Sequence, residues 1–245
     1  MDKFDQIFLF DFDGVICDSS RELYQNSLET FLILLKKYQI HSNKIIKNRD
    51  DLHSDFLNHL KHGNSSEAFF LIWNDIFIKK KLISKNIFSQ NLKLHKDEYK
   101  KEFYKNRKKI IRKSINSWID LHKFNKYLTR YINNFKNKEK LFVVSAKDLN
   151  SLIVLLKKNK VNILRKNIIS TSKYSSKEKI FKLFAKKYKN YKINLIEDSV
   201  ENIVLGNKLG FNCYYATWFA QPLVSKTKIK TISIQDIKKV LIKNN

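Results

Sequence analysis

The chain has 245 residues, of which 43% are hydrophobic, and its formal net charge at pH 7 is +26. This length is enough to bury a sizeable core, as one large domain or two smaller ones. No apolar run approaches the roughly 20 residues of a membrane helix, and two cysteines cannot form a disulfide framework. Acidic residues flank the first apolar run, which is not typical of a signal peptide, so a reducing cytoplasm is the expected compartment.

The positive charge comes mostly from lysine, which is spread over the whole chain. Only six of the 49 basic residues are arginine. Proteins that read nucleic-acid sequences usually cluster their charge and use arginine for bidentate contacts. The densest basic run, Lys105 to Lys113, is typical of a solvated helix face. We therefore do not expect a nucleic acid as the partner.

The first predicted element is a strand over residues 7–10, where four consecutive apolar residues indicate burial on both faces, as in a parallel sheet. Asp11 and Asp13 follow this strand with one residue between them. Gly14 predicts a turn that lets the chain curl and bring both carboxylates to one point. Buried anions are unfavourable unless a cation or a reaction needs them, so this strand end is the first candidate functional site.

Residues 18–124 are predicted to form an all-helical insertion, because no clear strand pattern occurs between about 17 and 125. A serine is expected to cap a first helix, whose apolar residues recur at i, i+3, i+4 and i+7. Residues 40–64 are largely polar and predict short helices and loops. An amphipathic helix is predicted over 66–83, and residues 93–117 are helical in pattern and heavily charged.

From residue 126 onwards, amphipathic helices alternate with short apolar runs. These runs predict buried strands over residues 141–144, 168–169, 193–196 and 211–215. Strands that alternate with helices of this length indicate right-handed βαβ units and a parallel sheet. The predicted fold class is therefore α/β: a Rossmann-like, three-layer core made of residues 1–17 and 125–245, with the helical insertion as a second domain.

Chemically useful side chains follow two further strands of the predicted sheet. Ser145 ends one of these strands, and Glu197 with Asp198 ends another. Parallel sheets place their functional sites at the carboxyl ends of their strands, so these side chains are expected to lie near the N-terminal aspartates. Lys147, two residues after Ser145, is a further candidate for substrate contact.

A lysine near the start of a connecting helix completes the set. Lys177 is preferred over Lys173 and Lys179, because a cation in the first turn of a helix opposes the helix dipole and so needs a compensating interaction. With 43 lysines in the chain, however, a lysine in any short window is expected by chance, and all three stay candidates.

The order of these residues resembles that of the haloacid dehalogenase-like hydrolase superfamily. The family's motifs are DxD after an apolar strand, a Ser or Thr at a strand end, a lysine at a helix start and an acidic pair at a strand end. The matching residues are Asp11-Phe12-Asp13-Gly14-Val15, Ser145, Lys177 and Glu197-Asp198-Ser199. The resemblance covers nearly all of the core, and the helical insertion stands where the family has its C1-type cap domain.

One motif departs from the commonest family pattern, GDxxxD. Glu197 replaces its glycine, and Asn202 replaces its last acid. Some members, notably the β-phosphoglucomutase-like ones, carry Glu-Asp-Ser at this place. Metal binding is therefore expected to survive, whereas the effect of Asn202 on the surroundings of the metal stays open.

The resemblance implies a Mg²⁺-dependent phosphatase that acts on a small phosphorylated metabolite through an aspartyl phosphate. Asp11 is the implied nucleophile, and Asp13 is the implied general acid and base. Ser145 would hydrogen-bond the phosphoryl group, Lys177 would offset its charge, and Gly14 and Ala146 would contribute to substrate binding. The implied Mg²⁺ ligands are Asp11, the backbone carbonyl of Asp13, Asp198, and Glu197 either directly or through water. The cap domain would close over the substrate and set specificity.

Several other functions stay open on the sequence alone. A phosphotransferase or mutase and a phosphonatase are rivals within the superfamily, whereas a dehalogenase is disfavoured because that branch lacks the second aspartate of DxD. A phosphatase for nucleic-acid ends is favoured only by the net charge. A binding protein with an idle fold is disfavoured by the intact Asp11, Asp13 and Asp198. The sequence names neither the substrate nor the oligomeric state.

Overall fold

The computed structural model describes residues 5–40, 49–60, 65–84, 87–219 and 229–242. The chain divides into two compact units: an α/β unit, Met1–Asp18 with Lys123–Asn245, and a helical unit, Ser19–His122. The predicted boundaries at 18 and 124 lie within two residues of this division. None of the helices in the described ranges has the length and hydropathy of a membrane-spanning segment.

The strands and helices of the described residues have the following bounds. The strands are β1 (Gln6–Phe10), β2 (Cys17–Asp18), β3 (Lys123–Phe124), β4 (Leu141–Ser145), β5 (Ile168–Ser170), β6 (Lys192–Glu197), β7 (Asn212–Ala216) and β8 (Thr231–Ile232). The helices are α1 (Ser20–Lys37), α2 (Arg49–Leu60), α3 (Ser66–Lys79), α4 (Leu92–Lys113), α5 (Ile115–Asp120), α6 (Lys126–Asn134), α7 (Leu149–Lys158), α8 (Thr171–Tyr174), α9 (Lys177–Lys187), α10 (Val200–Lys208) and α11 (Ile234–Ile242).

A six-stranded sheet of order β5-β4-β1-β6-β7-β8 organises the α/β unit. All five neighbouring pairs are parallel. β1 lies between β4 and β6, with Phe8 opposite Leu141 on one side and Asn194 on the other. The predicted α/β fold class is confirmed. The edge strand β8 was not predicted, because two residues are too few to form a pattern.

The apolar run of β1 is buried on both faces, as its composition predicted. Ile7, Phe8, Leu9 and Phe10 are each at most 1% exposed. On one face, Ile7 and Leu9 belong to a cluster of buried side chains that includes residues of α9. Burying a side chain of this size contributes about 1.5–3 kcal/mol, so β1 is held firmly at the centre of the sheet.

The two points where the chain leaves and re-enters the α/β unit are paired with each other. β2 and β3 form an antiparallel ladder in which Cys17 lies opposite Phe124 and Asp18 lies opposite Lys123. Phe12 is fully buried, and its ring meets that of Phe124 edge-on at 5.7 Å between centroids. The prediction of no strand between about 17 and 125 therefore misses these two short strands at its ends.

Two predicted helices of the insertion differ in their bounds from those observed. The charged stretch 93–117 is not one helix, because Ser114 is extended (φ −159°) and its Oγ accepts a hydrogen bond from Ser117 N, which starts α5. The amphipathic helix over 66–83 ends at Lys79. Of the polar stretch 40–64, residues 41–48 and 61–64 lie outside the described residues, and α2 lies between them.

A buried ion pair joins α1 and α4 inside the helical unit. Arg107 donates from Nε to Glu22 Oε1 at 2.8 Å and from Nη2 to Glu22 Oε2 at 2.9 Å. The side chains of Arg107 and Glu22 are only 5% and 1% exposed. Both carboxylate oxygens are thus matched by the planar guanidinium, a geometry that lysine cannot reproduce.

We expect Arg107→Met to destabilise the helical unit by about 3–5 kcal/mol, because Glu22 keeps its buried charge and loses its bidentate partner. Denaturant unfolding followed by far-ultraviolet circular dichroism measures this loss. Arg112→Met, at an exposed position of the same helix, is the matched control and should change stability by less than about 0.5 kcal/mol. Equal effects of the two substitutions would contradict the prediction.

Candidate active site

The turn after β1 holds the two N-terminal aspartates. Asp11 N donates to Ile196 O at 2.9 Å, so pairing with β6 continues one residue beyond the strand. Phe12 O then accepts hydrogen bonds from the backbone N–H groups of residues 15–17. Gly14, with a φ of +84°, makes the reversal, as its position in the sequence predicted. The turn thereby brings both aspartates to the carboxyl edge of the sheet.

Gly14 is also required for a close approach to β6. A Cβ at position 14 would lie 1.8 Å from Asp198 Oδ2 and 2.4 Å from Asp198 Cγ. Real Cβ contacts are never this short, so any side chain here displaces the Asp198 carboxylate. Gly14 therefore packs the turn directly against Asp198, the residue that follows β6.

We expect Gly14→Ala to lower divalent-cation affinity at least about tenfold, because Asp198 must move and the residue also needs a positive φ. Isothermal titration calorimetry with Mg²⁺ measures the loss. Gly210→Ala is the control, since Gly210 has a positive φ of +78° but has open space where its Cβ would be. Equal Mg²⁺ affinities for the two variants would contradict this prediction.

Of the three candidate lysines near the start of α9, Lys177 is the one that contacts Asp11. Its Nζ lies 2.8 Å from Asp11 Oδ1 and 2.5 Å from Glu197 Oε1, and its side chain is 12% exposed. α9 begins at this residue, and its position is fixed by the cap in which Ser176 Oγ accepts from Lys179 N. Lys173 and Lys179, the two rivals, are exposed to solvent.

Glu197 is fully buried and accepts hydrogen bonds from four donors. Its Oε1 accepts from Lys177 Nζ and from Asn202 Nδ2 at 2.6 Å. Its Oε2 accepts from Asp198 N at 2.8 Å and Ser199 N at 3.1 Å. In the sequence, Asn202 is notable only because it departs from the GDxxxD pattern. The structure shows that the Asn202 side-chain amide is a neutral donor to Glu197.

The carboxyl groups of this edge influence one another's ionisation. Burial and the nearby Glu197 charge raise the pKa of Asp11 well above its usual value, although Lys177 opposes this. Burial, Glu197 and Asp11 likewise raise the pKa of Asp198. Burial also disfavours ionised Glu197, but Lys177 and the backbone N–H donors outweigh it and lower its pKa. Burial opposes the charge of Lys177, yet Asp11 and Glu197 raise its pKa.

Three of these carboxylates could hold a metal ion together. Asp11, Glu197 and Asp198 each offer an oxygen atom, and these atoms lie within 4.8 Å of one another. All are hard oxygen donors of the kind that Mg²⁺ prefers. The raised pKa values of Asp11 and Asp198 are those of acids that lack sufficient positive charge nearby. The donor set therefore fits a divalent cation.

Asp13 is directed to a different partner. Its Oδ1 lies 3.1 Å from Lys147 Nζ, and its carboxylate is not one of the three grouped above. The predicted metal contact of Asp13 was through its backbone carbonyl, and that contact stays a prediction. The pair of Asp13 and Lys147 was not predicted from the sequence, where Lys147 was a candidate for substrate contact only.

Ser145 ends β4 and is buried, at 1% exposed. Its Oγ accepts a hydrogen bond from Lys147 N at 3.1 Å, which turns the chain tightly after the strand. Ala146 lies between them and is exposed. Ser145 is thus at the same sheet edge as Asp11, since β4 and β1 are parallel neighbours. Its predicted contact with a phosphoryl group stays a prediction.

Comparison by sequence finds no family model that matches the chain and no match among curated proteins. Comparison by structure finds many solved proteins of similar fold. A predicted phosphoglycolate phosphatase from Haemophilus somnus 129PT has a TM-score of 0.64 at 15% identity, over 98% of this chain and 99% of its own. A haloacid dehalogenase-like hydrolase from Streptococcus pneumoniae has a TM-score of 0.58 at 13% identity, and the similarity covers 98% of this chain and 99% of that one.

A further similar structure, a HAD family hydrolase from Deinococcus radiodurans R1, contains bound phosphate and sodium. Its TM-score is 0.57 at 12% identity, and the similarity covers 99% of this chain and 97% of that one. In all three comparisons nearly the whole of both chains is covered, the helical unit included. The chain has the fold of the haloacid dehalogenase-like hydrolases, as the order of its motifs implied.

Proposed function

We propose that the protein is a Mg²⁺-dependent phosphatase that hydrolyses a small phosphorylated metabolite through an aspartyl phosphate on Asp11. The single observation that carries this proposal is the meeting of Asp11, Lys177 and the Glu197-Asp198 pair at one edge of the sheet. A carboxylate attacks phosphorus only when its repulsion by the phosphoryl oxygens is offset. Lys177, together with a cation held by the three carboxylates, would supply positive charge beside Asp11.

In the first step, an Asp11 carboxylate oxygen would form a bond to phosphorus while the bond from phosphorus to the leaving oxygen breaks. The departing alkoxide would take a proton from the Asp13 carboxyl group, which becomes a carboxylate. Lys177 would stabilise negative charge on the transferring group, and the Ser145 hydroxyl would donate a hydrogen bond to it. The products of this step are a free alcohol and aspartyl phosphate.

In the second step, water would attack the phosphorus of the aspartyl phosphate. Asp13 would accept the proton of that water, and the bond between phosphorus and the Asp11 oxygen would break. This releases inorganic phosphate and regenerates both the Asp11 carboxylate and the Asp13 acid. Asp11 and Asp198, with Glu197 beside them, would hold Mg²⁺, which supplies charge neutralisation when bound. Glu197 already accepts four hydrogen bonds, which favours its contacting the cation through water rather than directly.

The similar structures support the chemical class of the substrate. One is described as a predicted phosphoglycolate phosphatase, and another holds phosphate. We propose a small phosphorylated metabolite for this chain as well, with the helical unit serving as the cap domain that selects it. The chain's two cysteines are both buried and are not joined by a disulfide, which supports the proposal that the protein works in a reducing, cytoplasmic compartment.

A phosphatase assay tests the proposal. The purified protein should release phosphate from p-nitrophenyl phosphate with Mg²⁺ and lose this activity with EDTA. Acid quenching during turnover of a ³²P-labelled phosphoester should leave label on the protein that hydroxylamine removes, as expected for an acyl phosphate. A panel of phosphometabolites, phosphonates and 3′- or 5′-phosphorylated oligonucleotides then ranks the substrate classes. No turnover of any phosphoester with any divalent metal would sink the proposal.

A further inference from the structure

A second buried lysine lies beside the second aspartate of the turn. Lys147 Nζ is 3.1 Å from Asp13 Oδ1, and the Lys147 side chain is only 1% exposed. Lysines are almost never this buried unless they are paired or have a function. Lys177 contacts Asp11, so each aspartate of the turn has a lysine of its own.

The backbone of Lys147 is fixed from two neighbouring strands. Its N–H donates to Ser145 Oγ at 3.1 Å, and its carbonyl accepts from Ser170 Oγ at 2.8 Å. The two serines end β4 and β5 and lie opposite each other in the parallel ladder. The ammonium group of Lys147 is therefore placed by rigid elements of the sheet, which is the arrangement that a precise electrostatic contact requires.

The charges at this edge balance when a divalent cation is included. Four carboxylates lie here, on Asp11, Asp13, Glu197 and Asp198. Among the residues that the structure describes, two lysines contact these carboxylates, which leaves two negative charges when all four are ionised. A divalent cation would neutralise these two charges. Without the second lysine, one negative charge would remain and would repel a phosphoryl dianion.

Building on the proposed function, we infer that Lys147 is a positioning residue that offsets the charge of Asp13. Through this charge it sets the affinity of the site for a divalent cation relative to its affinity for a phosphoryl anion. Lys147 acts through Asp13, whereas Lys177 acts on the nucleophile. Loss of the Lys147 charge would strengthen the hold on the cation and weaken the hold on the anion. A lysine that only supports the fold would not produce opposite changes.

Isothermal titration calorimetry on the full chain tests this inference with two probes, Mg²⁺ alone and inorganic phosphate at saturating Mg²⁺. For Lys147→Met we expect Mg²⁺ affinity to rise about tenfold and phosphate affinity to fall about tenfold, the effect of one unit charge several ångströms away at an intermediate dielectric constant. Lys147→Arg keeps the charge and should stay close to wild type with both probes. Lys179→Met, exposed to solvent, should change neither affinity.

A second variant keeps the test valid if Lys147→Met folds poorly. Asp13→Asn combined with Lys147→Met removes one charge of each sign, so its Mg²⁺ affinity should return towards that of wild type. If Lys147→Met loses affinity for both Mg²⁺ and phosphate, or changes neither affinity, the inference about Lys147 is overturned and the proposed function is not. A wild-type protein that binds neither Mg²⁺ nor phosphate would overturn the proposed function, and the inference with it.

Discussion

Asp11→Asn is expected to abolish phosphate release and, in the metal-free protein, to raise thermal stability. The loss of activity follows from the proposed role, because an amide oxygen cannot form the aspartyl phosphate. We expect kcat to fall at least about 10³-fold. Phosphate release from p-nitrophenyl phosphate measures this loss, and acid quenching should find no hydroxylamine-sensitive label on the variant.

The gain in stability follows from the electrostatics of the site. Burial and the charge of Glu197 raise the pKa of Asp11 in the folded protein. An acid of this kind favours folding only while it is protonated, and the benefit is lost as the pH rises through its folded-state pKa. Asparagine never ionises, so the variant avoids the cost at neutral pH. Without metal, we expect a rise in Tm of about 2–4 °C, as ~1 kcal/mol gives in a protein of this size.

The pH dependence provides an internal control for this prediction. Below about pH 4, near the usual pKa of aspartic acid, Asp11 of the wild type is protonated in both the folded and the unfolded protein. The difference in Tm between Asp11→Asn and wild type should therefore vanish. Asp236→Asn, at an exposed position of α11, is the matched control and should give no stabilisation at neutral pH. A metal-free Asp11→Asn protein less stable than wild type at pH 7 would contradict the electrostatic argument.

Lys177→Met is expected to damage both stability and activity. Asp11 and Glu197 would keep their buried carboxyl groups and lose the Lys177 ammonium, which lies 2.8 Å from Asp11 Oδ1 and 2.5 Å from Glu197 Oε1. Removing one partner of a buried ion pair costs about 3–5 kcal/mol, which lowers Tm by about 10 °C. We also expect kcat to fall about 10²–10³-fold, because in the proposed mechanism Lys177 stabilises negative charge on the transferring phosphoryl group.

Two further variants separate the causes of this loss. Lys179→Met removes an exposed lysine from the same helix turn and should leave Tm and kcat near wild type. Glu197→Gln added to Lys177→Met removes an unpaired carboxylate, so it should recover part of the Tm and none of the activity. If Lys177→Met loses no more than Lys179→Met by differential scanning fluorimetry, Lys177 has no structural role in the site.

The sheet and its edge were predictable because buried parallel strands are continuous apolar runs with abrupt polar ends. This pattern located β1, β4 and β6 from the sequence, and with them Asp11, Ser145 and Glu197 at the strand ends. The positive φ of Gly14 was predictable for a similar reason, since glycine is the residue that tolerates it. Parallel pairing then brings the strand ends together without further information.

The pairings among the polar side chains were not predictable from the same pattern. Lysine has a long flexible side chain, so its position in the sequence does not say which carboxylate its ammonium reaches, and Lys147 was not assigned to Asp13. Asn202 lies five residues after Glu197, across the junction of a strand and a helix, where no periodicity applies. The break at Ser114 depends on one residue within an otherwise helical pattern.

The central place of β1 in the sheet determines the order in which the chain can fold during synthesis. β1 is complete at residue 10, yet the strands that pair with it begin at residues 141 and 192. The helical unit, Ser19–His122, lies wholly between them and can acquire its own core first. The four apolar residues that precede Asp11 must wait for these distant partners. The strand that precedes the proposed nucleophile is therefore synthesised before the other described strands of its sheet and is among the last of them to be buried.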